Sequence, residues 1–217
     1  MTVRAMLFDI DGTLVDSNYL HVEAWQHAFA ELGAPTDAWR IHRAIGEDSA
    51  HLLRSLVGER DEAWNARARA LHAAFYDDLA PRLRALPGAR DLLRAVTERE
   101  LRAVLATSAP EEEFALLRRT LDADRWIYAH TSADDVDTAK PDPEVVAVAL
   151  DRAGAEPAEA VFVGDSTWDM IAAGRAGVRA YGVRSGGVSD SELVAAGAAA
   201  VYDDPADLLE HLDEIIR

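Results

Sequence analysis

The chain has 217 residues, enough for one sizeable core or for a core carrying a smaller insertion. Its 22 Lys and Arg stand against 39 Asp and Glu, and the resulting charge of −17 repels nucleic-acid backbones and anionic membranes, so neither is expected as a partner. With no cysteine there is no disulfide framework, no thiol nucleophile and no thiolate metal centre.

An apolar strand is expected over residues 3–8, almost at the start of the chain. No signal-like stretch precedes it and no run reaches membrane-spanning length, so the expected location is the cytoplasm. Where this strand meets a glycine turn, the sequence reads Phe8-Asp9-Ile10-Asp11-Gly12-Thr13-Leu14-Val15-Asp16-Ser17. Alternate strand residues share a face, so Asp9 and Asp11 project together from the carboxyl edge, where open α/β sheets hold ligands. Two adjacent carboxylates are costly unless a cation or a proton separates them. A divalent metal, a shared proton or both would serve, and a metal with a phosphoryl group accounts for the arrangement well.

From residue 17 to about residue 80 the periodicity is helical. Ser17 is placed to cap a first helix, in which Leu20, Trp25, Ala28, Phe29 and Leu32 recur near helical spacing before Gly33 ends it. Shorter helices are expected over 37–45 and 47–57, and a longer one over 61–79 is closed by Pro81. Four helices make a small bundle.

After Leu86-Pro87-Gly88 the pattern changes to strands alternating with helices, the signature of a parallel sheet covered on both faces. Strands are expected at 103–106, 126–130, 160–163, 180–183 and 199–202. Because the opening strand belongs with these, the fold class is α/β. A doubly wound, Rossmann-like parallel sheet over 1–16 and 87–217 carries an inserted four-helix bundle over 17–86. An insertion on two linkers can act as a cap that hinges over the strand ends.

Four separated pieces then fall at the carboxyl ends of the expected strands. They are the Asp9 and Asp11 pair, Thr107-Ser108, Lys140 within Thr138-Ala139-Lys140-Pro141-Asp142-Pro143, and Gly164-Asp165-Ser166-Thr167-Trp168-Asp169. Lys140 is the sole lysine among 22 basic residues, in a chain whose arginine-rich, alanine-rich composition fits a genomic codon bias better than a salt-loving origin. Its retention marks a position that needs a compact point charge.

In order and chemistry these pieces resemble the haloacid dehalogenase superfamily, and specifically its members with a helical cap between the first and second motifs. The resemblance covers essentially the whole chain. It implies that Asp9 is a nucleophile attacking phosphorus to give an aspartyl phosphate. It implies that Asp11 protonates the leaving alcohol and then activates water. Thr107 would donate its hydroxyl to a phosphoryl oxygen with the Ser108 amide assisting, and Lys140 would neutralise the phosphoryl group and Asp9. Asp165 and Asp169, with Asp9 and the Asp11 carbonyl, would hold Mg²⁺; Asp165 is the direct ligand and Asp169 is set to act through water. Gly12 would take up a conformation other residues resist, and Thr13 would orient Asp11.

In the expected cap, Ser17, His21 and Trp25 are similar to the first helix of phosphosugar mutases and related phosphatases, which would place His21 near Asp11. The acid at position 11 argues against dehalogenases, since a leaving halide needs no proton, and a cap without lysine argues against phosphonate-cleaving relatives. The reading is a Mg²⁺-dependent phosphatase acting on a small phosphorylated metabolite, as a monomer. A phosphosugar mutase is the alternative; its cap-loop arginine aligns near Gly46, leaving Arg43 or Arg54 to hold a second phosphate. A non-catalytic phospho-acceptor switch is a more remote one.

Overall fold

A computed structural model describes residues 2–135 and 140–217 of the chain. Residues 138 and 139, which open the lysine motif in the sequence, lie outside the described residues. The chain forms two compact units, Met1–Asp16 with Arg84–Arg217, and Ser17–Leu83.

The first unit is built on a six-stranded parallel sheet in the order β3-β2-β1-β4-β5-β6. Its strands are β1 (Ala5–Phe8), β2 (Arg102–Leu105), β3 (Ala129–His130), β4 (Ala160–Gly164), β5 (Arg179–Val183) and β6 (Ala198–Tyr202). β1 pairs in parallel with β2 on one side and β4 on the other, so the strand order reverses direction beside it. In open parallel sheets the crevice at such a reversal, beyond the carboxyl ends of the strands, is where ligands bind. Every residue of β1 is buried, as expected of a strand covered on both faces.

The covering helices include α5 (Ala89–Glu98), α6 (Glu111–Leu121), α7 (Glu144–Ala153), α8 (Thr167–Arg175) and α9 (Asp190–Ala196). On one face, Leu7, Val104 and Phe162 from the sheet pack with Val145, Val146 and Ala149 of α7 and Met170 and Ala173 of α8. Alanines fill much of this core, with Ala5, Ala106, Ala149, Ala153 and Ala173 all fully buried.

β3 is shorter than the sequence suggests. Residues 126–128 were expected to be strand, but a 3₁₀ turn at Asp124–Trp126 feeds the sheet edge, and only Ala129 and His130 pair with Val104 and Leu105.

The second unit contains α1 (Asn18–Glu31), α2 (Ala38–Ala44), α3 (Ser49–Val57) and α4 (Glu62–Leu79), followed by one 3₁₀ turn at Ala80–Arg82. Its core joins Trp25, Ala28 and Phe29 of α1 to Ile41, Leu53 and Ala68 of the other helices. Asp48 and Asp61 cap α3 and α4 by accepting from the amides of Ala50 and Trp64. Ser17 occupies the N-cap position of α1, yet its side chain makes no capping hydrogen bond.

The chain returns to the sheet unit at Arg84 rather than at residue 87. Main-chain pairing explains the difference: Asp16 N–H donates to the Arg84 carbonyl at 2.9 Å, Leu86 N–H donates to Leu14 at 2.9 Å, and Val15 bridges Ala85.

Candidate active site

The site grows from the end of β1. The strand continues as Asp9, whose amide donates to Val163 of β4 at 2.9 Å, and then turns sharply. In the turn the Leu14 and Val15 amides donate to the Ile10 carbonyl at 2.8 and 2.9 Å, with Gly12 at a φ of +72°. That left-handed conformation is open to glycine at little cost, as the sequence led us to expect.

Asp9 is buried, and so are Thr13, Lys140, Asp165 and Asp169. The Lys140 ammonium pairs with Asp9 Oδ1 and lies 2.7 Å from Asp169 Oδ1. The other oxygen of Asp169 accepts from the Ser166 amide at 3.0 Å and the Ser166 hydroxyl at 2.7 Å, and the Ser166 hydroxyl accepts in turn from the Asp169 amide at 3.2 Å. This reciprocal capping box opens α8, and it aims Asp169 at Lys140. Gly164 makes room for it, because a Cβ there would lie within about 2.6 Å of the Asp169 side chain.

Thr13 was expected to orient Asp11; its hydroxyl donates to Asp165 Oδ1 at 3.2 Å and to Asp9 Oδ2 at 3.4 Å. The turn thus sets Thr13 against the carboxylates that follow β1 and β4.

Carboxylate oxygens of Asp9, Asp165 and Asp169 lie within 4.8 Å of one another, and the Asp11 carboxylate is not one of that group. Burial, reinforced by the Asp169 and Asp11 carboxylates, pushes the Asp9 carboxyl up to about 7 against the pull of Lys140. Burial disfavours the Lys140 ammonium, yet the Asp169 and Asp9 carboxylates outweigh it and hold its pKa above the ordinary lysine value. Three buried carboxylates facing one ammonium leave net negative charge, and a donor set of hard oxygens suits Mg²⁺. Asp9, Asp165 and Asp169 could hold such an ion between them. Asp169 has one oxygen on Lys140 and the other on Ser166.

Thr107 follows β2 and is buried. It is not the N-cap of α6, a position taken by Pro110. Instead its Oγ1 accepts from the Ala109 amide at 3.0 Å. Its backbone is clamped by Thr131, whose hydroxyl accepts from the Thr107 amide at 2.9 Å and donates to the Thr107 carbonyl at 2.6 Å. Sequence reasoning missed Thr131. The available signal was its place just past the end of β3, the strand beside Thr107. Ser108 is half-buried beside Thr107.

His21 and Arg43 belong to the helical unit. His21 Nδ1 lies 3.1 Å from His72 Nε2, and its ring stacks on Tyr76 at a centroid distance of 4.1 Å. Arg43 is exposed on α2 and lines a cleft of about 210 Å³ with Trp39, Arg40, Glu47 and Leu56.

Residues 6–183 match the model of the haloacid dehalogenase-like hydrolases. A phosphorylated carbohydrates phosphatase from Thermotoga maritima is 29% identical, with 99% of this chain and 100% of that protein aligned. A phosphoglycolate phosphatase from Rhodospirillum rubrum is 34% identical over 94% of this chain and 89% of its own length. The crystal structure of a hydrolase from Pseudomonas syringae superposes with a TM-score of 0.94 at 39% identity, covering 99% of this chain and 100% of that one. With Asp9 and Asp165 just past the adjoining strands β1 and β4, and Lys140 paired with Asp9 and Asp169, the chain belongs to the haloacid dehalogenase-like hydrolases.

Proposed function

We propose that the protein is a Mg²⁺-dependent phosphatase that hydrolyses a small phosphorylated metabolite through an aspartyl phosphate on Asp9. The observation that carries this reading is the Lys140 ammonium held between Asp9 and Asp169, next to Asp165. Such an arrangement lets an anionic nucleophile and an anionic phosphoryl group approach each other.

Asp9 attacks phosphorus while Lys140 offsets the charge of both partners. Asp11 protonates the departing alcohol and afterwards removes a proton from the water that releases phosphate, a contribution typically of about 10²–10⁴-fold. The Thr107 hydroxyl oxygen already accepts from Ala109, so its hydrogen is the part it offers to a phosphoryl oxygen. Bound at Asp9 and Asp165, Mg²⁺ would supply Lewis-acid stabilisation of charge on the transferring group. Relatives named for phosphoglycolate and phosphorylated carbohydrates support a small metabolite as the substrate class.

A phosphosugar mutase is the second reading, favoured by Arg40 and Arg43 at the cleft of the helical unit, where a second phosphate could be held.

The test is phosphate release from p-nitrophenyl phosphate with Mg²⁺, with EDTA, and with Asp9→Asn. Mg²⁺-dependent turnover lost in both controls is expected, and a panel of phosphometabolites then identifies the substrate. Interconversion of sugar phosphates without net phosphate release would favour the mutase. A long-lived acyl phosphate without turnover would indicate a switch, and turnover surviving Asp9→Asn would overturn the mechanism.

A further inference from the structure

The loop that follows β5 is not used by the mechanism above, yet it touches the acidic centre twice. It forms one 3₁₀ turn at Arg184–Gly186. Ser185 Oγ donates to the Gly12 carbonyl at 2.6 Å, joining segments 173 residues apart in the chain. Gly186 is buried, and a Cβ there would overlap the Asp165 carboxylate, lying 2.7 Å from the Asp165 Cβ. Unlike Gly12, Gly186 does not sit in the left-handed region, so its requirement is for space and not for conformation. Arg184, at the start of the turn, pairs with Asp203 and lies 3.4 Å from Asp190, which ties the loop to the sheet edge.

These contacts form a chain of constraint. Ser185 fixes the carbonyl of the Gly12–Thr13 peptide and thereby the position of Thr13. The Thr13 hydroxyl donates to Asp165 Oδ1, while Gly186 borders Asp165 on its Oδ2 side. The Asp165 carboxylate is therefore seated between a hydroxyl that Ser185 positions and a backbone that tolerates no side chain.

We propose that Ser185 and Gly186 are positioning residues for divalent-cation binding. They set the orientation of Asp165 and of the turn after β1 without contacting the ion or the substrate. This inference rests on the Mg²⁺ reading above. Orienting groups behind a metal ligand typically change affinity by about 10–100-fold.

The experiment is a Mn²⁺ titration of the full chain followed by electron paramagnetic resonance, with Mg²⁺ competition and no substrate. Wild type, Ser185→Ala, Ser185→Thr and Gly186→Ala are compared, with circular dichroism reporting the fold. The expected result is about tenfold weaker Mn²⁺ binding in Ser185→Ala, recovery in Ser185→Thr, and a larger loss in Gly186→Ala. If Gly186→Ala does not fold, the Ser185 pair decides the matter alone. Unchanged affinity in Ser185→Ala overturns the proposal and leaves the Mg²⁺ reading standing. No Mn²⁺ bound by wild type overturns both.

Discussion

Lys140 holds together charges that would otherwise repel. Its Nζ pairs with both Asp9 and Asp169, and all three residues are buried. A guanidinium is planar and larger, and it cannot present one point charge to both carboxylates from the same place. Lys140→Arg is therefore expected to lower kcat by about 10²-fold or more while keeping the overall charge. Lys140→Met leaves buried carboxylates unopposed, which should cost on the order of 3–5 kcal/mol of stability as well as activity. Steady-state kinetics with urea titrations would check both, and near-normal turnover in Lys140→Arg would refute the point-charge role. The sequence pointed to Lys140 because it is the only lysine, but Asp169 as its second partner was not visible, since the capping box that aims Asp169 forms only when α8 folds.

At the scale of elements, α1 and α4 are joined by a buried aromatic stack. Trp25 stacks on His72 at 4.2 Å, His72 shares a hydrogen bond with His21, and Tyr76 covers His21. Burial, followed by the neighbouring His21, pushes the His72 pKa well below the usual imidazole value. The folded chain thus binds fewer protons than the unfolded chain below about pH 6.5, and the stability contributed by neutral His72 is lost as the pH falls through that range. The thermal midpoint of the wild type should drop between about pH 6.5 and 5, and this slope should flatten in His72→Gln. Equal slopes in the two proteins would contradict the assignment. The junction of β4 and α8 offers a second test. Ser166→Ala removes a cap and the partner of Asp169, so a loss of about 1 kcal/mol is expected by denaturant titration, together with a fall in turnover.

The whole molecule separates into a sheet unit and a helical unit, each with its own core. Phe162 lies in β4, fully buried between the sheet and its helices, and the next residues of that strand lead directly to Asp165. Phe162→Ala should cost about 3–5 kcal/mol and lower the urea midpoint of the sheet unit, reducing activity because the strand that presents Asp165 is loosened. Among the described residues no helix is long and apolar enough to cross a membrane. The charge of −17 disfavours the approach of a phosphate ester, and Lys140, buried beside Asp9 and Asp169, offsets part of the negative charge at the site.

By itself the sequence determined the α/β class, the run of helices between the first and later strands, and most of the acidic centre. Those features depend on local periodicity and on motif residues that lie at strand ends whatever the exact packing. Tertiary structure alone decided which groups meet across the sheet: Thr13 with Asp165, Thr131 with the Thr107 backbone, Ser185 with Gly12, and Gly186 against Asp165. These partners are distant in the chain and carry no local signature. Their contacts exist only because parallel pairing brings the carboxyl ends of neighbouring strands to one edge. Boundaries behaved likewise, since the return to the sheet unit at Arg84 is set by main-chain hydrogen bonds to residues 14–16, which local periodicity does not encode.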